Sequence, residues 1–468
     1  MKKFIDRVKD METLNQQFQM DEAALVVVYG RRRIGKTALI TEFLRNKQGI
    51  YFLATEESEE QNRNAFRQQV AEFTGDELLA QVTVDNWDIL FERLTSSADA
   101  QERMVIAIDE FQYLGKANPA FPSVFQRIWD TVLSKRNVIV VLCGSLISLM
   151  YGQTLSSDSP LYGRRTAQIH MRQIPFNCYH EFFPKRMGQR ELVELYGVTG
   201  GVPKYIESFL GTGATDDVFK AIEQSVLNPN SYLFEEPNFL LSKEVNEVGS
   251  YFSILRAIAA GNSKSGDISK VLGVKQTGLT RYLKALEDLD ILERVVPVTE
   301  TNPSKSKKGL YRIKDNFLRF WFRFVFPKKG LLETGQTKKV LGDIKKNFVS
   351  AQAAYVYEEV RRQWLWEVQA PIPLDKVGAW WGAQDIEFDV VGLNKELGRA
   401  VFGECKFWNK PVGTSELVHL EAQVARALKE PAFKDYRNEP VYVFFSIGGY
   451  SDAMKKAAAE REDLFLFG

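Results

Sequence analysis

The sequence predicts an α/β chain of several domains, on three observations. Its 468 residues exceed one ordinary core and suggest about three domains at roughly 150 residues each. Between residues 23 and 172, short apolar β-branched runs alternate with amphipathic helical stretches, the pattern of a parallel sheet buried on both faces. Near the C-terminus, strands of alternating polarity return beside further helices. Hydrophobic residues make up 45% and charged residues 26%, which excludes wholesale disorder and a collagen-like chain. No apolar run approaches the ~20 residues of a membrane helix; the densest, Phe317–Phe326, is broken by Arg319 and Arg323. The basic N-terminus MKKFIDRVKDMETL has no apolar segment behind it, so no secretory signal is expected. Cys143, Cys178 and Cys405 are too scattered for a disulfide framework, and His170, His180 and His419 have no metal-ligand spacing. A cytoplasmic protein without zinc or membrane association is the expectation.

In chain order, the first apolar runs are Ala23–Gly30, Gly49–Ala54, Met104–Glu110 and Val138–Ser145, with a shorter strand at Ala167–Met171. Helical stretches such as Lys36–Arg45 and Gln61–Phe73 supply the crossovers. Residues from about 190 to 243 read as helical, punctuated by Gly200-Gly201-Val202-Pro203. Next come an apolar helix from Tyr251, a short helix GDISKVLG, a turn at Gly273 and a longer helix from Gln276, with Leu279, Leu283, Leu286 and Leu289 on one face. Two strands, ERVVPV and LYRI, flank the polar loop TNPSKSKKG, which completes the outline of a winged helix. A Gly- and Lys-rich stretch around Lys328–Lys346 precedes the last segment. That segment reads as a helix (Phe348–Trp366), strands IEFDVVGL and RAVFGECKFW, a helix near Glu416–Leu428 and a strand VYVFFSI. The aromatic clusters Phe317–Phe326 and Trp364–Trp366 read as core.

Gly30-Arg31-Arg32-Arg33-Ile34-Gly35-Lys36-Thr37 fits the P-loop spacing G-x-x-x-x-G-K-[ST], directly after a strand and opening a helix that continues through Ala38. The glycines let the backbone amides of the loop face the phosphates of ATP, Lys36 neutralises phosphate charge, and the Thr37 hydroxyl is the expected Mg²⁺ ligand. No separate role follows for the Arg31–Arg33 run. At the end of the strand Ile106–Ile108, Asp109 is placed to bind Mg²⁺ through water and Glu110 to orient the attacking water. Ser145, ending the next strand, is either a γ-phosphate sensor or a helix cap.

With those motifs, and with F-I-D-R-x-x-x-x-E-x-L (Phe4 to Leu14), IDEFQYL, PLYGRR (Pro160–Arg165), GGVPKYIE (Gly200–Glu207) and FDVVGL…GECKFW, the chain resembles the prokaryotic AAA-related archaeal-type ATPases. The resemblance implies a P-loop NTPase parallel sheet over residues 1–185, a helical lid over 186–245, a winged helix-turn-helix over 246–330, and a C-terminal α/β restriction-endonuclease-like domain of the PD-(D/E)XK type over 345–468. It also makes Arg7 and Pro203 nucleotide-pocket candidates, and Arg164 or Arg165 a candidate arginine finger, in cis or from a neighbouring subunit of a homo-oligomer.

The formal net charge of +1 hides an asymmetry: residues 251–330 hold 16 Lys and Arg against 7 Asp and Glu. This basic block points to DNA. Lys275, Gln276, Thr277, Arg281 and Lys284 lie on the polar side of the second helix of the helix-turn-helix, and Lys305, Lys307 and Lys308 lie in the wing, where they suit phosphates and base edges. In the last segment, strand alternation points Glu404 and Lys406 one way and Cys405 the other, and the NKELG turn brings Asp389 alongside. Asp389 and Glu404 are the expected Mg²⁺ ligands of a phosphodiesterase, Lys406 the residue that orients water and stabilises charge, and Glu358 an additional carboxylate. Phe388 stands where the resembled motif has proline. Two readings stay open: an ATPase coupled to DNA binding and metal-dependent DNA cleavage, or a nucleotide-gated regulator with an inactive nuclease fold and a winged helix that docks protein.

Overall fold

The computed structural model describes residues 4–96, 102–214, 217–368, 370–382 and 386–468. The chain forms two compact units. The first comprises Met1–Ile174, Val202–Lys204 and Leu240–Asn246; the second comprises Pro175–Gly201, Tyr205–Phe239 and Glu247–Gly468.

The first unit is built on a five-stranded sheet of β1 (Ala24–Tyr29), β2 (Gly49–Leu53), β3 (Met104–Asp109), β4 (Val138–Gly144) and β5 (Ala167–His170). The order is β2-β3-β4-β1-β5, and every neighbouring pair is parallel. β3 and β4 are buried along their whole length, which is why the sequence shows them as unbroken apolar runs. Each Val, Ile or Leu so buried contributes about 1.5–3 kcal/mol relative to exposure. One face packs Phe52, Phe66, Phe91 and Phe125; the other packs Leu39, Ile40 and Phe43 of the helix Lys36–Leu44. Because all strands run one way, the residues after β1, β3 and β4 open on the same edge.

In the second unit, the helices Val248–Ala259, Ser265–Leu272 and Gln276–Asp288 are followed by the antiparallel hairpin β6 (Leu292–Val295) and β7 (Leu310–Ile313). Gly273, at φ 66°, ends the second of these helices in the left-handed conformation that glycine adopts without strain. Leu279, Leu283, Leu286 and Leu289 are buried. Phe317, Phe320, Trp321, Phe322 and Phe324 are core, and the Trp321 indole N–H donates to the Phe234 carbonyl at 2.9 Å. The lysine-rich stretch is itself helical over Thr337–Phe348, with Val340, Leu341, Ile344 and Phe348 buried in one stripe between exposed lysines.

The C-terminal sheet contains β8 (Lys376–Trp381), β9 (Glu387–Asn394), β10 (Arg399–Lys406), β11 (Val441–Ser446) and β12 (Leu464–Phe467), in the order β12-β11-β10-β9-β8. β8, β9 and β10 pair antiparallel, whereas β10, β11 and β12 pair parallel. Helices Thr414–Ala427 and Asp452–Ala459 cover one face through Leu417, Leu420, Val424 and Met454. On the other face, Trp364 of helix Ala354–Glu367 packs against Phe445 and Phe467. β8 and β12 do not stand out in the sequence: one is short and Gly-interrupted, the other only four residues long. Trp366 departs from the expected core position, being 54% exposed. It follows the buried Leu365 by one residue, a step that carries a helical side chain off the apolar face.

Candidate functional site

The turn after β1 needs glycine at its first position. Gly30 has φ 151°, and a Cβ there would stand 2.4 Å from the Met171 carbonyl oxygen. Gly35 has φ 98° and opens the helix Lys36–Leu44, while Arg33 takes φ 69° without that freedom. Backbone strain of this kind costs about 1–3 kcal/mol per residue and concentrates at ligand clamps. Lys36 is buried, with Nζ donating to the carbonyls of Gly30 at 2.9 Å and Arg31 at 2.8 Å. Burial pulls its pKa down from the ordinary lysine value, against the opposing pull of Cys143, Glu110 and Asp109. Ile34 is core, Arg31 is buried, and Thr37 and Ala38 lie at the exposed helix start.

Three strand ends converge beside this loop. Asp109 is buried and accepts from the Thr37 hydroxyl at 2.8 Å, the Tyr51 hydroxyl at 2.7 Å and the Glu110 amide at 2.9 Å. The Thr37–Asp109 pair is a hard oxygen set that fits Mg²⁺. Glu110 has φ 54°, and its Oε2 accepts from the Ser145 hydroxyl at 2.6 Å and from the Gln112 amide. Ser145 therefore reaches Glu110 rather than acting as a side-chain cap on the helix Ile147–Met150. Tyr51 and Gln112 were missed in the sequence. Burial, and then Asp109, raise the Tyr51 pKa, so this hydroxyl remains a donor. Glu244 was missed too. Its carboxylate accepts from the amides of Ile147 at 3.1 Å and Ser148 at 3.4 Å and from the Ser148 hydroxyl at 2.9 Å, capping the turn that follows Ser145. Burial raises its pKa.

Arg7 is buried with φ 73°, and its guanidinium donates to the Ile34 carbonyl at 2.9 Å and the Arg172 carbonyl at 2.7 Å. It thereby braces the P-loop backbone. Arg32 donates to the Tyr113 hydroxyl at 2.7 Å. Pro203 opens the helix Pro203–Gly211 and is half-buried. The two finger candidates are engaged elsewhere: Arg164 grips Asp130 at 2.8 and 2.9 Å, and Arg165 donates to the carbonyls of Thr154 at 3.1 Å and Leu155 at 3.0 Å.

The second constellation lies at a fork in the C-terminal sheet. The last β9–β10 pair is Val390 with Gly403. Beyond it the Asp389 Oδ2 accepts the Cys405 amide at 2.8 Å, in place of a ladder bond. From Trp380↔Phe388 to Gly378↔Val391 the register shifts, β9 taking one residue more than β8. This β-bulge turns Asp389 out of the strand alternation, a device frequent beside active sites. Lys406 Nζ contacts Glu404 at 2.8 Å and Glu416 at 3.4 Å. Arg362 donates to the Asp389 carbonyl at 2.7 Å and lies 3.6 Å from Glu358. Burial and then the Asp389 charge push Glu358 up to about 8 and Glu404 up to about 7, and burial raises Asp389 as well. Among the described residues no three His, Cys, Asp or Glu side chains form a ready-made metal cage. Mg²⁺ needs only one or two carboxylates and keeps its waters, so the pair Asp389 and Glu404 fits it.

On the helix Gln276–Asp288 and at its start, Lys275, Gln276, Thr277, Arg281 and Lys284 are exposed. Arg281 pairs with Glu247 at 3.2 Å and Lys284 with Asp288 at 2.7 Å. In the loop between β6 and β7, Lys305, Lys307 and Lys308 are exposed, with Lys308 3.3 Å from Glu300. Among the described residues no helix is long and apolar enough to cross a membrane.

Residues 4–209 match a family model described as an ATPase domain predominantly from Archaea, and residues 321–421 match one described as archaeal and bacterial proteins of unknown function. An uncharacterized protein of Methanocaldococcus jannaschii is 33% identical over 468 residues, 99% of this chain and 98% of that protein. An uncharacterized ATP-binding protein of the same organism is 44% identical over 45 residues, 10% of this chain and 76% of that protein. Among solved structures, the Walker-type ATPase of Pyrococcus abyssi is similar in fold, with TM-score 0.53 and 20% identity, over 68% of this chain and 96% of that one.

Proposed function

The chain belongs to the ATPase family found predominantly in Archaea, and from that premise we propose that its ATP turnover is coupled to a winged helix that binds DNA and to a C-terminal domain that cleaves DNA with a divalent metal. On this reading the loop amides of residues 30–38 and Lys36 cradle the phosphates. Thr37 and Asp109 hold Mg²⁺, which supplies charge neutralisation when bound. Glu110 orients the attacking water, kept in place by Ser145 and Gln112, and Arg7 braces the loop from behind. The observation that carries the ATPase half is the convergence of Thr37, Asp109, Glu110 and Ser145 through hydrogen bonds of 2.6–2.9 Å.

The DNA half is supported by the basic balance of residues 251–330 and by the fork at Asp389, Glu404 and Lys406, with Glu358 beside it. There a divalent ion relieves carboxylate repulsion and polarises the scissile phosphate, while Lys406 stabilises charge on it. Both halves are tested on one preparation by measuring ATP turnover and plasmid cleavage with added Mg²⁺ or Mn²⁺. Lys36→Ala is expected to abolish only the first signal and Asp389→Ala only the second, unless cleavage is gated by ATP, in which case Lys36→Ala removes both.

A second reading, a nucleotide-gated regulator whose winged helix docks protein, is favoured by one observation. Arg281 and Lys284 are ion-paired on their own surface, and a groove of about 510 Å³ beside them is walled by Leu272, Val274, Leu279 and Tyr282. Replacing Arg281 and Lys284 together with alanine separates the readings. Weaker DNA binding with a flatter salt dependence supports the DNA reading; unchanged affinity and salt slope support the protein-docking one.

A further inference from the structure

A cleft of about 600 Å³ lies within the second unit, between the β6–β7 hairpin, the helix Ala354–Glu367 and the edge strand β8. Its walls combine Glu293, Glu359, Arg312, Arg362, Trp366 and Trp381. Three features define what it suits. Side chains of both charges line it, so a simple anion would meet Glu293 and Glu359 and a simple cation would meet Arg312 and Arg362. Two indoles contribute flat apolar surface, and Trp366 stays 54% exposed beside the cleft although its neighbour Leu365 is buried. Arg362 belongs both to this cleft and to the carboxylate fork, because its guanidinium donates to the Asp389 carbonyl at 2.7 Å.

We propose that this cleft receives one unstacked base of a DNA strand whose backbone passes Asp389, Glu404 and Lys406. This rests on the reading of the C-terminal domain as one that acts on DNA. A base is flat, neutral, and carries donors and acceptors on one edge. Carboxylates accept from its amino and ring N–H groups, guanidinium groups donate to its ring nitrogens and keto oxygens, and indoles stack on its face. A base held in a stacked duplex cannot enter a concave site of this size, whereas an unpaired one can. The volume lies in the range of pockets that enclose small ligands. The one-residue sharing through Arg362 sets the occupied base next to the phosphate at the fork.

The test uses the full chain and a fluorescein-labelled 20-nucleotide single strand, with the same sequence as duplex and an abasic strand of equal length as comparisons. Affinity is read by fluorescence anisotropy. Wild type is expected to prefer the base-bearing single strand over both comparisons. Trp366→Ala is expected to weaken that binding about tenfold, Trp366→Phe to retain most of it, and neither to change binding of the abasic strand. Glu293→Gln serves as an independent variant and is expected to weaken the base-bearing strand only. Thermal unfolding of each variant confirms that it folds. Equal affinity of wild type and Trp366→Ala for the base-bearing strand, or equal affinity of wild type for base-bearing and abasic strands, overturns the proposal. So does saturation by free dCMP with no gain on a strand. Asp389→Ala keeps the two claims apart. If it abolishes cleavage while Trp366→Ala leaves binding untouched, the base pocket falls and the nuclease reading stands. Absence of cleavage beside Trp366-dependent strand binding leaves the pocket standing without the nuclease.

Discussion

The Ser145 hydroxyl donates to Glu110 Oε2 at 2.6 Å, joining the residue after β4 to the residue after β3. Glu110 is thus held by its own left-handed backbone, φ 54°, and by two donors, Ser145 and Gln112. Ser145→Ala removes one of them. Turnover is expected to fall roughly 10- to 100-fold, with nucleotide affinity within a few-fold of wild type. Steady-state hydrolysis and equilibrium binding, measured together, check this.

Gly30→Ala places a methyl 2.4 Å from the Met171 carbonyl oxygen and 2.7 Å from Ile34 Cδ1, at φ 151°. The Ile34 methyl can turn aside, but the Met171 carbonyl is backbone and cannot yield cheaply, and the positive φ is itself strained for alanine. The expected outcome is a loss of about 2 kcal/mol or more of stability and loss of ATP binding, read by chemical denaturation and nucleotide titration. The exposed Gly152, with no atom within 4 Å of its added Cβ, is the control and is expected to tolerate alanine.

Glu293 is pushed up to about 7, first by burial and then by Glu359, against Lys314, Arg312 and Arg362. Its folded value lies above its unfolded one, so its contribution is fully present at acid pH and lost as the pH rises through about 7. Between pH 5 and pH 8 wild type is expected to lose about 1–3 kcal/mol through this group. In Glu293→Gln the loss over the same window shrinks, as denaturation midpoints at the two pH values will report.

The Asp389 charge helps raise the Glu404 pKa, and on the proposed reading a divalent ion between the two carboxylates would relieve that repulsion. Millimolar Mg²⁺ or Mn²⁺ is expected to raise the melting temperature of Lys36→Ala, in which the P-loop contribution is weakened. That shift disappears in the Lys36→Ala, Asp389→Ala double variant. No shift in the single variant would count against a metal at the fork.

The first sheet was legible because β3 and β4 are buried on both faces, and such strands leave continuous apolar runs in the sequence. The P-loop and the Asp109-Glu110 pair stand out in the sequence because each is a run of neighbouring residues. Tyr51, Gln112 and Glu244 do not. Tyr51 reaches Asp109 only through the β2–β3 pairing that sets Leu53 opposite Asp109, and Glu244 returns to Ile147 across 97 residues. In the C-terminal sheet, strand alternation could not show the extra residue that bulges β9 at Asp389. Its aromatic neighbours make Trp366 look like core in the sequence, whereas helix geometry turns it to the surface, 54% exposed. Lysines at 338, 339, 345 and 346 likewise masked the buried stripe of Val340, Ile344 and Phe348.

ATP turnover of Glu110→Gln, set beside its nucleotide affinity, tests the central claim most directly. The substitution keeps an acceptor and a similar shape but removes the carboxylate proposed to orient the water. Hydrolysis is expected to slow by about two to four orders of magnitude with ATP still bound at near wild-type affinity, whereas Lys36→Ala loses the binding itself. Turnover of Glu110→Gln at the wild-type rate would contradict the assignment of Glu110 as the water-orienting residue, and with it the mechanism built on the Ser145 contact.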